Sequence, residues 1–446
     1  MTRQTPDALK TTAALPRVTH ARGSYLWDAA GNQYIDGSGG PAVYCLGHAH
    51  PEVNAAVMAQ MSDIAHAYRY NFTTSALDEL TDIIRARCGG TLSEMVFVTS
   101  GSEAVESCLK IALQYHSATG QKSRSRFISR QRSWHGNTLG ALGLSGFAER
   151  TLAYEGAFIP SIKLSPANTY RPLPSATSET AGEAAAVELE AAILAHGPET
   201  IAAFVFEPVV GAAGGCVPAP PGYARLVRDI CTRHGVLMIA DEVMCGSGRT
   251  GTWRALEHDG VEPDIMSVAK GLAAGYVPLG AAICTTKVWE AIREKDGAFG
   301  TGHTFTGHTA ACAAGVAVQR IIARDNLIAR VQGNETRLKS WLSDAIGCVE
   351  AIGDIRGRGH FIGLELVADR ATKQPFDPDR KLFLKIRQQT MENGLICYPV
   401  GGNVDGRAGD IVILAPPYNS TDDELTEIVD KTARSIRQVL QAEGLA

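Results

Sequence analysis

The chain has 446 residues, 45% of them hydrophobic and 20% charged, which allows a large core and excludes general disorder. Lys and Arg number 42 against 47 Asp and Glu, a net charge of −5, so there is no basic excess for a sequence-independent grip on nucleic acid. No apolar run approaches the roughly 18 residues that span a bilayer, the polar stretch from Met1 to Arg17 has no signal-peptide core, and ten scattered cysteines without a C-x-x-C pair fit a reduced, cytoplasmic protein.

Residues 24–36 (SYLWDAAGNQYID) predict a hairpin with a Gly-Asn turn. From about residue 60 to 315 the order is α/β. Short apolar runs predict strands buried on both faces at Met95–Thr99, Arg126–Ser129, Ile201–Phe206, Val236–Ala240, Ile265–Val268 and Leu279–Thr285. Helical stretches at Ser102–His116, Gly182–Ala195 and Gly222–His234 fall between many of them. Residues 164–180, rich in Pro, Ser and Thr, predict a surface loop. The last two strands lie too close for a crossover helix and should pair antiparallel. Beyond them, helices at Leu327–Ala345, Lys381–Asn393 and Thr421–Glu443 with strands around Phe361–Val367 and Ile411–Leu414 give an α+β pattern, hence a second domain. There is no internal repeat.

Three features carry chemistry. Thr99-Ser100-Gly101-Ser102-Glu103-Ala104 sits where a strand ends and a helix begins, a ready anion site of exposed backbone N–H groups. Asp241 ends an apolar strand, on the edge that faces the ligand crevice of a parallel sheet, and such an acid needs a cationic partner. Lys270 directly follows another apolar strand and is flanked by Ala269 and Gly271, where desolvation would make it a nucleophile or Schiff-base partner. Alone, each has a plainer explanation: a Ser N-cap, a structural ion pair, a snorkelling lysine. Together they supply a phosphate cradle, a buried acid and a desolvated lysine on one sheet edge, the set that pyridoxal 5′-phosphate requires. Gly246-Ser247-Gly248-Arg249-Thr250-Gly251 matches the dinucleotide pattern G-x-G-x-x-G, but no convincing helix follows it, so a nicotinamide-dependent dehydrogenase is a distant alternative. His48-x-His50 lacks the partners of a zinc site, and no metal site is expected.

The chain resembles the class III (ω-) aminotransferases of the fold-type I pyridoxal-phosphate enzymes. The likeness runs from about Gly23 to the C-terminal helix. It rests on GSYLWDAAGNQYID, LGHAHPEV, TSGSEAVESCLKIA, SWHGNTLGAL, FEPVVGAAGG, ADEVMCGSGRTG, PDIMSVAKGLAAGYVPLGA, HTFTGHTAACAAG and GDIVILAPP, in that order. The resemblance implies an α/β large domain (61–315) built on a mostly parallel seven-stranded sheet, and a smaller α+β domain formed from both chain ends (1–60 and 316–446). It also implies roles. Ser100, Gly101 and Ser102 would hold the phosphate. Trp134, beside His135, would stack on one face of the cofactor ring and Val243 would pack on the other. Asp241 would bond the pyridine nitrogen, Lys270 would form the Schiff base, and Glu207 would support the site. Thr304 would reach the phosphate of a neighbouring subunit, implying a homodimer with shared active sites.

Relatives acting on 4-aminobutyrate or ornithine carry a Glu after the Glu-Pro pair that gates an arginine; here Val209-Val210-Gly211-Ala212 lacks it. The ω-amine or β-amino-acid branch is therefore closer. The reaction implied is ping-pong transfer of an amino group from such a donor to pyruvate or 2-oxoglutarate, with a decarboxylase, racemase or aminomutase of the same fold as the alternative. Arg407, in a glycine-flanked loop just before the last apolar strand, is the expected partner of the substrate carboxylate, with Arg69 next in line.

Overall fold

The computed structural model describes residues 15–445. Its centre is a seven-stranded sheet: β1 (Leu92–Val98), β2 (Arg126–Arg130), β3 (Ser161–Leu164), β4 (Ile201–Phe206), β5 (Leu237–Asp241), β6 (Ile265–Val268) and β7 (Gly280–Thr285), in the order β1-β7-β6-β5-β4-β2-β3. Strands β3, β2, β4, β5 and β6 pair parallel. Strand β7 alone runs the other way, antiparallel to both β6 and β1, as the short link before it predicts. Every residue of β4, β5, β6 and β7 is buried, which explains their unbroken apolar sequence.

One apolar cluster fills one side of this sheet, with Leu80, Phe204, Met238 and Ile283 at its centre; a second, with Cys108, Ile111, Val205 and Ile239, fills the other. The helix Gly101–Ala118 covers the second face. Its start is fixed twice: Ser100 Oγ accepts the Glu103 N–H (3.2 Å), and Glu103 Oε2 accepts the N–H and hydroxyl of Thr99 (2.7 and 2.6 Å). The strand end and helix start that carry the anion site are thereby locked in place.

The hairpin forms as Tyr25–Asp28 against Gln33–Asp36, its turn closed by Asp28 Oδ1 accepting the N–H groups of Ala30 and Asn32. Leu395–Ile396 then adds in parallel to Gln33–Asp36, so the two ends of the chain share a sheet. A separate four-stranded sheet joins Ile352–Arg358, Phe361–Leu366, Asp410–Leu414 and Tyr398–Gly401 under the helices Leu327–Ile346, Leu382–Glu392 and Asp422–Ala442. Sequence pattern missed β3, a short edge strand interrupted by Ser161 and Lys163. It also missed the helices Pro51–Asp63, Ser75–Cys88 and Thr309–Arg324. All ten cysteines are unpaired, and only Cys348 is exposed. Among the described residues no helix is long and apolar enough to cross a membrane.

The G-x-G-x-x-G segment opens no helix. It is a buried turn whose Arg249, 1% exposed, donates to the carbonyls of Pro416 (2.6 Å) and His360 (3.2 Å) and lies over the Tyr418 ring. At Gly248 φ is +99°, and a Cβ on Gly246 would stand 2.7 Å from the Glu242 carbonyl. The glycines here serve tight packing, Gly246 against Glu242 and Gly248 against Ile328 and Tyr418, which removes the basis for a dinucleotide site.

Candidate active site

A pocket of about 350 Å³ opens at the C-terminal ends of β1, β2, β4, β5 and β6. A crevice at this edge is where parallel sheets hold their ligands. Ser100, Gly101, Ser102, Trp134, His135, Glu207, Asp241, Val243 and Lys270 all line it. Sequence reasoning did not single out Val43 or the stretch Val277–Leu279, which close the rim. Val277–Leu279 lie within the PDIMSVAKGLAAGYVPLGA motif, but as apolar residues neither they nor Val43 carried a recognisable site role.

Asp241 is the last residue of β5 and only 3% exposed. Its Oδ1 accepts the Ser267 hydroxyl from the neighbouring strand and the N–H of Val243, each at 3.1 Å. Its Oδ2 lies 2.8 Å from His135 Nδ1. The partner demanded by burial of this acid is therefore a histidine, itself buried, whose Nε2 has no partner among the described residues. Glu207, one residue past β4, binds the chain around it: Oε1 accepts the Trp134 N–H (2.9 Å) and Oε2 that of Gly211 (2.8 Å). Burial pushes its pKa above the usual carboxylate range, with the nearby Asp241 charge adding to the push and His135 opposing it.

Lys270 stands two residues past β6 with φ at +44°, a left-handed backbone that a side-chain-bearing residue adopts at a cost of about 1–3 kcal/mol. Among the described residues its ammonium makes no hydrogen bond or ion pair. Burial lowers its pKa, and the charges of Asp241 and Glu207 only partly oppose that shift. The pocket floor is equally constrained. A Cβ on Gly101 would lie 2.7 Å from Val243 Cγ1, and one on Gly136, where φ is +139°, 2.7 Å from Ser102 Oγ. That hydroxyl accepts the Asn137 N–H at 3.0 Å. A strained, desolvated lysine, a buried carboxylate and a glycine-floored helix start are the donor set for a phosphorylated pyridine aldehyde, so the residues present fit pyridoxal phosphate.

Three expected residues lie outside this pocket. Thr304 and Arg69 are exposed and line a different recess, together with Tyr68 and Tyr70. Arg407 is turned to solvent, its side chain 77% exposed and 3.5 Å from Asp379, which is 80% exposed. The cause is local. The loop closes on itself through Gly402 N–H to Gly409 O (2.9 Å) and Gly406 N–H to Gly402 O (2.9 Å), while Asp405 Oδ1 accepts the N–H groups of Arg407 and Ala408. In this structure that turn directs the arginine away from the pocket.

Comparison with known proteins agrees with this geometry. The family model described as aminotransferase class-III matches residues 8–436. An uncharacterized aminotransferase of Schizosaccharomyces pombe is 39% identical over 429 residues, covering 96% of this chain and 94% of its own. The uncharacterized aminotransferase YodT of Bacillus subtilis is 38% identical over 427 residues, with 96% of each chain covered. The omega transaminase from Pseudomonas jessenii, solved in complex with PMP, is similar in structure with a TM-score of 0.91 at 30% identity, over 97% of this chain and 94% of that one. The chain belongs to the class-III aminotransferases, enzymes of the fold-type I group that use pyridoxal phosphate.

Proposed function

We propose that the protein transfers an amino group from an ω-amine or β-amino-acid-type donor to a keto acid, pyruvate or 2-oxoglutarate, by a ping-pong route. The observation that carries this reading is the convergence of Lys270, Asp241 and the Gly101–Ser102 helix start in one pocket. When bound, the cofactor supplies an electron-accepting ring that can carry the amino group between two substrates. Ser100, Gly101 and Ser102 would hold its phosphate, Trp134 and Val243 its two faces, and Asp241 its ring nitrogen, while Lys270 would meet its aldehyde.

The protein's own part is proton handling and electrostatics. Lys270 Nζ, shifted toward the free amine by burial, would take the proton from the amine-bearing carbon of the donor in the first half-reaction and would supply one to the keto-acid carbon that receives the amino group in the second. Asp241, oriented by Ser267 and His135 and only 3% exposed, would present its carboxylate to the ring nitrogen. Glu207 ties Trp134 to the segment after β4, which fixes the stacking residue. The absence of a gating carboxylate at Ala212 favours amine donors that carry no α-carboxylate.

The same reading includes a homodimer with shared sites. Tyr70, Phe72 and Phe305 are 80, 65 and 53% exposed, and Tyr70 shares a recess with Thr304, which supports a partner surface there. The test is to incubate holoenzyme with a panel of amines and each keto acid. Formation of alanine or glutamate, with parallel double-reciprocal plots, is expected. Carbon dioxide release, inversion or amino-group migration without amination of either keto acid would overturn the reading.

A further inference from the structure

A second cavity, of about 380 Å³, lies past the C-terminal ends of β2, β3 and β4 and shares Glu207 as a wall with the cofactor pocket. Much of its lining is apolar, including Pro166, Leu173 and Phe206. Three arginines reach it, and two have a carboxylate partner. Arg130 donates to the Tyr223 hydroxyl (2.8 Å) and to main-chain carbonyls and lies 3.4 Å from Glu188. Arg171 pairs with Glu365.

Arg132 is different. It is 7% exposed, on a backbone with φ of +57°, and its side chain makes one hydrogen bond among the described residues, from Nη1 to the Gly402 carbonyl at 3.0 Å. It forms no ion pair with a carboxylate of the described residues; Asp405 and Glu149 act on it only through space. Beside the same cavity Asn403 is 6% exposed, and neither its Oδ1 nor its Nδ2 has a partner among the described residues. A buried guanidinium without a counter-ion and a buried amide without partners are each costly. Two such costs against one apolar cavity point to a missing anion.

We propose that this cavity binds the carboxylate of a small organic acid with an apolar body. The guanidinium of Arg132 takes the carboxylate with its free N–H groups, the Asn403 amide N–H adds a further donor, and the hydrocarbon part lies against the apolar wall. Two sources have this chemistry: the distal carboxylate of a substrate reaching past Glu207, or a separate acid acting as an effector. Binding here goes beyond the transfer reaction and is measured without turnover, so failure of one leaves the other standing.

The test is calorimetric titration of the holoenzyme with hexanoate, with hexanamide as the uncharged control. Hexanoate should bind, and hexanamide should bind roughly ten- to a hundredfold more weakly, the weight of a charge-assisted pair. Arg132→Gln should weaken hexanoate by a similar factor. Because that variant also loses the bond to Gly402, Ala167→Phe, which fills the cavity from its wall, provides an independent route to the same loss. Hexanoate that competes with pyruvate identifies a distal-carboxylate pocket, and hexanoate that does not compete identifies an effector site. No binding to the wild-type enzyme, or equal affinity in the wild type and Ala167→Phe, overturns the proposal.

Discussion

Replacing Asp241 by Asn separates what the fold needs from what the chemistry needs. Both hydrogen bonds that the protein donates from Ser267 and Val243 go to Oδ1, which Asn retains. At the other atom an amide N–H₂ would face His135 Nδ1, 2.8 Å away, and the ring can take the tautomer that accepts. The structural loss is thus about one hydrogen bond, ~1 kcal/mol. The chemical loss is larger. A unit charge about 4 Å from a cationic ring nitrogen, at an effective dielectric near 20, is worth roughly 4 kcal/mol, or about three powers of ten in rate. Asp241→Asn should therefore melt within a few degrees of the wild type, still take up cofactor, and transaminate about a thousandfold more slowly. Stopped-flow half-reactions with amine donor alone read the chemical step directly. Near-normal turnover would refute the role given to this carboxylate.

Gly136→Ala should lower cofactor affinity at least tenfold without unfolding the core, because its Cβ would press on Ser102 at the pocket floor; cofactor titration followed by absorbance measures it. Glu242, 1% exposed, accepts the N–H groups of Ala255 and Leu256, and burial raises its pKa from 4.5 to about 7. A raised acid favours the fold fully below pH about 4.5, and this contribution, roughly 3 kcal/mol, is lost as pH rises through about 7. Glu242→Gln should accordingly flatten the fall of Tm between about pH 5 and 7; an unchanged slope would assign that fall to other groups, Glu207 first among them. Arg407→Ala should leave keto-acid use within twofold and stability within about 0.5 kcal/mol, since a pair exposed on both sides contributes little. A selective loss of keto-acid use would show that the loop opens inward.

Much of the site could be read in the sequence because its parts follow strands. Asp241, Lys270 and the Ser100–Ser102 turn each end an apolar run, and a parallel sheet brings those ends to one edge whatever the distance between them in sequence. The pairing of His135 with Asp241 was not readable, since 106 residues separate them and only the packing of β2 near β5 brings them together. The direction taken by Arg407 was not readable either. Its flanking glycines suggested a movable arm, whereas Asp405 and the glycine carbonyls fold the loop on itself. Strand β3 escaped because Ser161 and Lys163 break its apolar pattern. Both bond inward, Lys163 to Ser129 and both side chains to the Gly143 carbonyl, so they satisfy a buried edge without looking apolar.

The central claim is that Lys270 is the residue that joins the cofactor. Borohydride reduction of the holoenzyme, followed by peptide mapping, tests it in one step. The reduced label should lie on the peptide containing Lys270, and Lys270→Ala should bind cofactor without covalent attachment and lose transamination. A label on Lys163, a half-buried lysine whose pKa burial lowers to about 7, or on any lysine outside the pocket, would contradict the account.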